Sequence, residues 1–312
     1  MQVFKNQANF DFMGKRKLFM VISATLVIAS IVSLAVKGLN FGLDFTGGTL
    51  IELGYSHPVD LNKVRSTLET SGFPEAVAQH FGTSEDILVR IAPRKKQTNA
   101  QVSSTIMSLL QASDTGKVEM RRVEFIGPQV GGELVEDGGL AMIYTLICIL
   151  VYVGFRFEYR FAIGSVVALI HDVTITLGLF SFLQLEFDLT VLAAVLAVIG
   201  YSLNDTIVVF DRIRENFRKM RKGTSIDIIN SSLNQTLSRT LMTSFTTLLV
   251  LIALFVFGGE LIHGFATALI LGIVVGTYSS IYIASSLALS LGISKADLMP
   301  VVKEGAELDR NP

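Results

Sequence analysis

The chain has 312 residues, of which 50% are hydrophobic and 17% are charged, and its net charge is −1. Soluble domains average about 25% charged residues, and a nucleic-acid-binding chain would carry a basic excess. The composition therefore indicates a membrane protein and excludes nucleic acid as an expected partner. The single cysteine, Cys148, rules out an intramolecular disulfide.

Six apolar stretches are long enough to suggest helices that cross a membrane, which need roughly 20 residues each. They lie at 18–36, 138–155, 161–183, 189–210, 240–257 and 264–291. The first could also be a cleaved signal peptide, but it is longer than the apolar core of about 7 to 15 residues that such a peptide has. We therefore expect a bundle of six transmembrane helices, one at 18–36 and five within 138–291.

The polar segment 37–137 has the pattern of a small α+β domain inserted after the first span. Strand-like stretches occur at 49–55, 76–81, 86–91 and 118–126, and helix-like stretches at 60–70 and 98–110. This order, β-α-β-β-α-β, is that of a ferredoxin-like fold, which fixes no function by itself. His57 and His80 have no companion ligand residues nearby, so no metal site is expected.

The distribution of Lys and Arg predicts the orientation of the chain. The basic residues lie in the N-terminal tail and in the connections that follow the second and fourth spans, whereas the connections at 184–188 and 258–263 contain none. The segment 37–137 is therefore expected to face the periplasm or the exterior. The expected cytoplasmic segments are the tails 1–17 and 292–312 and a basic loop at 211–239, whose first part would contact lipid headgroups.

Ionisable residues within the spans are the strongest functional signal, because an intramembrane charge costs about 2.5 to 3.5 kcal/mol on insertion scales. Asp205, preceded by Asn204, lies in the fourth span, and Arg239 lies at the start of the fifth at a similar expected depth. Two interpretations remain open. Asp205 could take up a proton away from Arg239 and release it beside Arg239, or the two could form a static ion pair that holds two helices together.

His171 and Asp172 lie near the middle of the third span. Adjacent residues on a helix point about 100° apart, so the two cannot both face one partner. A hydrogen bond that packs helices is favoured for this pair, and proton transfer remains the alternative.

A glycine-rich segment follows the first span directly. Gly42, Asp44, Phe45, Gly47 and Gly48 lie within its sequence GLDFTGGT. The segment lacks the Gly-Lys-Ser/Thr ending of a phosphate-binding loop. We interpret it as a tight turn between the first helix and the α+β domain, with Asp44 accepting hydrogen bonds from backbone amides.

Gly272, Gly276 and Ser280 form a small-residue face on the last span that allows close approach of another helix. We interpret it as a packing face between helices, and a contact with a partner subunit is the alternative. The sequence combines no nucleophile with a neighbouring base and contains no nucleotide motif, so an enzyme is not expected.

Several motifs resemble those of the SecF family of bacterial protein-export proteins. The segment 41–49, FGLDFTGGT, resembles the motif that SecD and SecF share after the first span. The segment 200–216, GYSLNDTIVVFDRIREN, resembles the fourth-span signature of SecF. Segments 151–158, 168–173 and 238–244 agree as well, and the match runs in order along nearly the whole chain.

The resemblance implies a fold similar to half of a resistance-nodulation-division exporter and a location in the bacterial inner membrane. It implies SecD, YajC, the SecYEG translocon and the translocating preprotein as partners. Translocation would be driven by the proton-motive force, with protons as coupling ion and no other cofactor. Asp205 and Arg239 match the family's proton-transport residues, with Asn204, His171 and Asp172 as weaker candidates.

Two other functions stay open. The chain could be half of a proton-driven exporter of small molecules or lipids, because that superfamily shares the architecture. It could also be a passive scaffold of the translocon, in which case the charge of Asp205 would not matter for export.

Overall fold

A computed structural model of the chain describes residues 9–94, 98–220 and 222–294. Within these residues the predicted fold class is confirmed, with six helices long and apolar enough to cross a membrane and one inserted α+β domain. Of the expected tails, 1–17 and 292–312, residues 1–8 and 295–312 lie outside the described residues.

The elements follow one another in a simple order. They are α1 (Arg16–Lys37), β1 (Asn40–Phe41), α2 (Leu43–Thr46), β2 (Gly48–Tyr55), α3 (Leu61–Thr70), β3 (Val77–Phe81), β4 (Thr83–Ile91), α4 (Asn99–Ser113), β5 (Val118–Ile126), α5 (Pro128–Arg156), α6 (Tyr159–Leu183), β6 (Glu186–Phe187), α7 (Leu189–Lys219), α8 (Ser225–Phe257), α9 (Glu260–Ser279), a π-helical turn (Ser280–Ala284) and α10 (Ser285–Ser290). The membrane-length helices are α1, α5, α6, α7, α8, and α9 with its continuation.

The α+β domain, residues 48–126, is a four-stranded antiparallel sheet in the order β3-β4-β2-β5, which is the ferredoxin-like topology. One face of the sheet is covered by α3 and α4 and forms an apolar core that includes the fully buried Ile51, Leu53 and Ile87. Side chains alternate between faces along a strand. Gln79 and Arg90 therefore lie on the other side, which we call the helix-free face.

The bundle has two distinct ends. The α+β domain joins it at the end of α1 and the start of α5, which we call the domain end. Basic residues gather at the opposite end, the far end, where Arg156 closes α5 and Arg218 and Lys219 lie in the last turn of α7.

The segment 211–239, expected as a basic loop, is mostly helical. Helix α7 continues to Lys219 and α8 begins at Ser225, so the connection shrinks to 220–224. The apolar stretch ends where the charged residues begin, so hydropathy predicts the end of the helix too early. Charged residues such as Arg, Lys and Glu are nevertheless good helix formers. A capping box between Thr224 and Asp227 then starts α8.

The small-residue face of α9 packs against α7 of the same chain. A Cβ placed on Gly272 would lie 2.1 Å from a methyl carbon of Val198, and one on Gly276 would lie 2.9 Å from Cβ of Ser202. The interpretation as a packing face is therefore confirmed, whereas the alternative, a contact with a partner subunit, is wrong. Small residues mark a close helix approach, but the sequence does not say which helix approaches.

Candidate intramembrane polar site

Asp172 is the centre of a buried polar cluster that joins three helices. The side chain is fully buried on α6. Its Oδ2 accepts hydrogen bonds from Ser202 Oγ of α7 at 2.6 Å and from Ser279 Oγ of α9 at 2.8 Å. Its Oδ1 lies 2.8 Å from Nδ1 of His171, which donates in the Nδ1–H tautomer. Asp172 therefore fixes the mutual positions of α6, α7 and α9.

His171 and Asp172 hydrogen-bond to each other. The two adjacent side chains therefore do not need to face a common third residue. Its Nε2 is buried and has no hydrogen-bond partner among the described residues. The imidazole ring stacks on Tyr278, with ring centroids 6.3 Å apart. Tyr278 in turn donates to the carbonyl of Phe19 at 2.8 Å. His171 of α6 is thus connected to α1 through Tyr278 of α9.

The helix that carries Ser279 changes geometry directly after that residue. Ser280–Ala284 form a π-helical turn, and Ser285 Oγ donates to the carbonyl of Ser280 at 3.0 Å. Single π-helical turns within α-helices occur frequently at functional sites. Nothing in the hydrophobic pattern signals this turn, because its sequence, SIYIA, fits an α-helix equally well.

Asp205 lies one turn after Ser202 on α7, and its environment differs sharply from that of Asp172. The residue is 3% exposed, yet its Oδ2 is buried without a hydrogen-bond partner among the described residues. The hydroxyls of Thr206 and Thr240 are also buried, and no described residue hydrogen-bonds to them. A buried polar atom without a partner costs about 1–3 kcal/mol. Asp205 is therefore the unsatisfied carboxylate of the site.

Arg239 does not form an ion pair with Asp205. No nitrogen–oxygen contact within 4.0 Å joins these two described residues, and Arg239 is exposed. Two contacts show which residues of α7 and α8 lie side by side. Asn216 Nδ2 donates to Ser232 Oγ at 2.8 Å, and the hydroxyl of Tyr201 donates to Thr247 Oγ1 at 3.5 Å. In this register Arg239 lies level with Val209, one helical turn or about 6 Å nearer the far end than Asp205. The static pair is thus absent from this conformation.

A polar cleft of about 390 Å³ lies between α7 and α8, and Asp205 is not among the described residues that line it. Its walls include Asn204, next to Asp205 in sequence, and Arg239. The other polar residues that line it are Asp211, Arg212, Glu215, Gln235 and Thr236. The cleft gives water and protons a polar approach from the far end as far as Asn204, the neighbour of Asp205 in sequence.

The glycine-rich segment forms a joint between the α+β domain and α7. Asp44 Oδ2 accepts a hydrogen bond from the backbone amide of Leu189, the first residue of α7, at 3.1 Å. Gly42 N donates to the carbonyl of Phe187 at 2.9 Å, and the buried ring of Phe45 stacks on Phe187. Asp44 does bond a backbone amide as predicted, but that amide lies 145 residues along the chain, beyond what a local turn pattern can indicate.

Two glycines of this joint are required by its backbone. Gly47 and Gly48 have φ of +72° and +143°, in the region that side chains strongly disfavour. A Cβ on Gly48 would also lie 2.3 Å from the carbonyl oxygen of Ile91. No group of three or more His, Cys, Asp or Glu residues suited to a metal ion occurs in the described part of the chain.

Comparison with known proteins places these features in context. The family model described as "Protein export membrane protein SecD/SecF, C-terminal" matches residues 105–294, and the "SecD/SecF GG Motif" model matches residues 32–59. The chain is 58% identical to the "Protein translocase subunit SecF" of Vibrio alginolyticus, covering 100% of this chain and 99% of that protein. Identity to the SecF subunit of Escherichia coli O157:H7 is 49%, over 96% and 93% of the two chains.

A solved structure is similar as well. The crystal structure of SecDF from Thermus, a translocon-associated membrane protein, is 39% identical in sequence and superposes with a TM-score of 0.78. The match covers 93% of this chain but only 39% of the Thermus chain. The present chain therefore spans well under half the length of that solved protein.

Proposed function

We propose that this chain acts as the SecF subunit of a SecD–SecF assembly. The chain belongs to the SecF family of SecD/SecF protein-export membrane proteins. The multi-pass membrane fold and the match to part of a longer SecDF chain support a SecD partner. In this assembly the subunit promotes preprotein translocation across the bacterial inner membrane. YajC and the SecYEG translocon are the further partners proposed.

The proposed energy source is the proton-motive force, with Asp205 as proton carrier. The observation that carries this proposal is the buried, unpartnered Oδ2 of Asp205 beside the polar cleft lined by Asn204 and Arg239. A proton that arrives through the cleft neutralises Asp205. Approach of the Arg239 guanidinium, now one turn away, then favours proton release. Protons are the only coupling species in this scheme, with no other cofactor and no enzymatic chemistry.

Asp172 and His171 have a different proposed role. Asp172 is already hydrogen-bonded to His171, Ser202 and Ser279. A carboxylate engaged by three donors holds the helices in place, whereas a carrier must exchange partners. We therefore assign Asp172 to positioning α7, the helix that carries Asp205.

A proton taken up at Asp205 can influence the α+β domain through α7. This helix is continuous over 31 residues, from the joint at Asp44 to beyond Asp205. Displacement of α7 would therefore move the hydrogen bond at its first residue and the domain attached there. Each proton that crosses the membrane supplies about 2.3 kcal/mol per 100 mV, enough to bias a two-state movement more than tenfold.

The proposed orientation places the far end in the cytoplasm, together with the tails 1–17 and 292–312. The segment 37–137 then faces the periplasm. Basic residues at the far end support this orientation through the positive-inside rule.

Preprotein export in a SecF-depleted strain tests the proposal. The strain is complemented with wild-type chain, Asp205→Asn, or Asp137→Asn, which makes the same change at an exposed carboxylate of α5. Asp205→Asn should abolish the proton-dependent part of export at normal abundance and SecD assembly, while Asp137→Asn should not. Normal proton-dependent export in Asp205→Asn would favour the passive scaffold. Normal preprotein export with lost efflux of a small molecule would favour the exporter.

A further inference from the structure

A second cleft, of about 450 Å³, lies where the α+β domain meets the domain end of the bundle. Gln79 and Arg90 line it from the helix-free face of the sheet. Glu186, Asp188 and Phe255 are among the residues that line it from the bundle. Its volume is within the roughly 300–1,000 Å³ that small-molecule sites occupy.

The domain wall of this cleft presents two unpartnered donors. Gln79 is 7% exposed, and its side-chain Nε2 has no hydrogen-bond partner among the described residues. Arg90 Nη1 donates to Glu186 Oε1 at 2.6 Å, but its Nε is buried and has no hydrogen-bond partner in the described part of the chain. A guanidinium beside an amide suits an anionic oxygen, and phosphate oxygens match the fork of Arg.

The bundle wall has the opposite charge. Glu186 and Asp188 bring two carboxylates to the cleft against the single guanidinium of Arg90, so these groups sum to −1. An entirely anionic ligand would therefore meet repulsion on one side. A ligand with an anionic oxygen at one end and an ammonium at the other would be complementary to both walls.

The position of the cleft identifies the source of such a ligand. Its bundle residues lie in the α6–α7 connection and close to helix ends, with Phe255 two residues before the end of α8 and His263 in the first turn of α9. The rings of Phe255 and His263 stack at 4.5 Å. Phe257, at the end of α8, is 86% exposed. Helix ends with exposed aromatic rings lie at the level of lipid headgroups.

We propose that this cleft binds the headgroup of a zwitterionic, ammonium-bearing phospholipid. The phosphate accepts hydrogen bonds from Gln79 and Arg90, and the ammonium group lies against Glu186 and Asp188. A lipid held in this way bridges the helix-free face and the bundle, and so stabilises the seating of the domain. This site is separate from Asp205, and its occupancy can be measured without any translocation.

Native mass spectrometry of the complex of this chain with SecD tests the proposal. The complex is released from nanodiscs that contain equal amounts of phosphatidylethanolamine and phosphatidylglycerol, and the retained lipids are identified. Gln79→Met removes the amide, whereas Val77→Met introduces the same side chain on the same strand and sheet face, outside the lining of the cleft. We expect retention of phosphatidylethanolamine to fall about tenfold in Gln79→Met and to be unchanged in Val77→Met.

A second variant tests the charge argument and keeps the proposal testable if Gln79→Met fails to fold. Glu186→Gln preserves the shape of the side chain and an acceptor for Arg90 but removes one negative charge, so the preference for phosphatidylethanolamine over phosphatidylglycerol should decrease. Equal retention of both lipids by the wild-type complex would overturn the proposed headgroup class. Unchanged lipid retention in Gln79→Met would overturn the site. Cross-linking of a photoreactive residue at Thr267, in the cleft wall, to translocating polypeptide and not to lipid would also overturn it.

Discussion

Replacing Asp172 or Asp205 by alanine should have opposite consequences for stability, although both carboxylates are buried in the bundle. Asp172→Ala removes the acceptor of three hydrogen bonds, from His171, Ser202 and Ser279. Side-chain hydrogen bonds within membranes contribute about 0.6 kcal/mol on average and up to about 1.7. Loss of all three should therefore destabilise the chain by about 2 to 5 kcal/mol.

Asp205→Ala removes the same atoms from a site of similar burial. The cavity that it leaves should therefore cost about as much as the cavity left by Asp172→Ala. Because Oδ2 of Asp205 has no partner, little hydrogen bonding is lost and an unsatisfied polar atom is removed. Removal of this unpartnered atom, whose burial costs about 1–3 kcal/mol, offsets much of the cost of the cavity, so we expect the free energy of unfolding to stay close to that of wild type or to rise.

Unfolding of each variant in complex with SecD can be followed by circular dichroism during a denaturing-detergent titration in mixed micelles. The expected order of stability is Asp205→Ala at or above wild type, with Asp172→Ala clearly below both. Equal stability of Asp172→Ala and wild type would refute the positioning role of Asp172. A larger loss in Asp205→Ala would show that Asp205 is a structural partner after all.

Three further outcomes are expected. With Cys148 replaced, single cysteines at Ser84 and Lys222 should react with an impermeant thiol reagent from opposite sides of the membrane, and labelling from one side would contradict the orientation. Asp44→Ala should cost about 1 kcal/mol, because the first amide of α7 loses its acceptor, and should increase proteolysis of the α+β domain, whereas unchanged protection would argue against the joint. Burial raises the pKa of Tyr55 to about 12, so its contribution to stability is present below pH 10 and lost as pH rises toward 12. Thermal melts between about pH 8 and 11 should show wild type losing stability relative to Tyr55→Phe, and parallel curves would contradict this.

The fold followed from the sequence because its signals are local. Hydropathy located the six spans, and alternation with turn residues located the strands. The helix-like stretch at 60–70 is found as α3, whose N-cap Asp60 accepts a hydrogen bond from the amide of Asn62. The exception is 211–239, where hydropathy ends before the helix does.

The site was only partly predictable, because its contacts join distant segments. An intramembrane carboxylate is visible in sequence, so Asp172 and Asp205 were both identified. Which of them is satisfied depends on Ser202 and Ser279, ordinary residues that lie 30 and 107 positions from Asp172. The partner of Asp44 was hidden for the same reason.

Proton flux into proteoliposomes tests the central claim most directly. Vesicles that contain the chain with SecD, and a pH-sensitive dye inside, receive an imposed proton gradient, with Asp205→Asn compared against Asp137→Asn. The amide of Asp205→Asn cannot take up and release a proton, so flux should fall to the level of protein-free vesicles while Asp137→Asn conducts as wild type. Wild-type flux through Asp205→Asn would show that Asp205 is not the proton carrier.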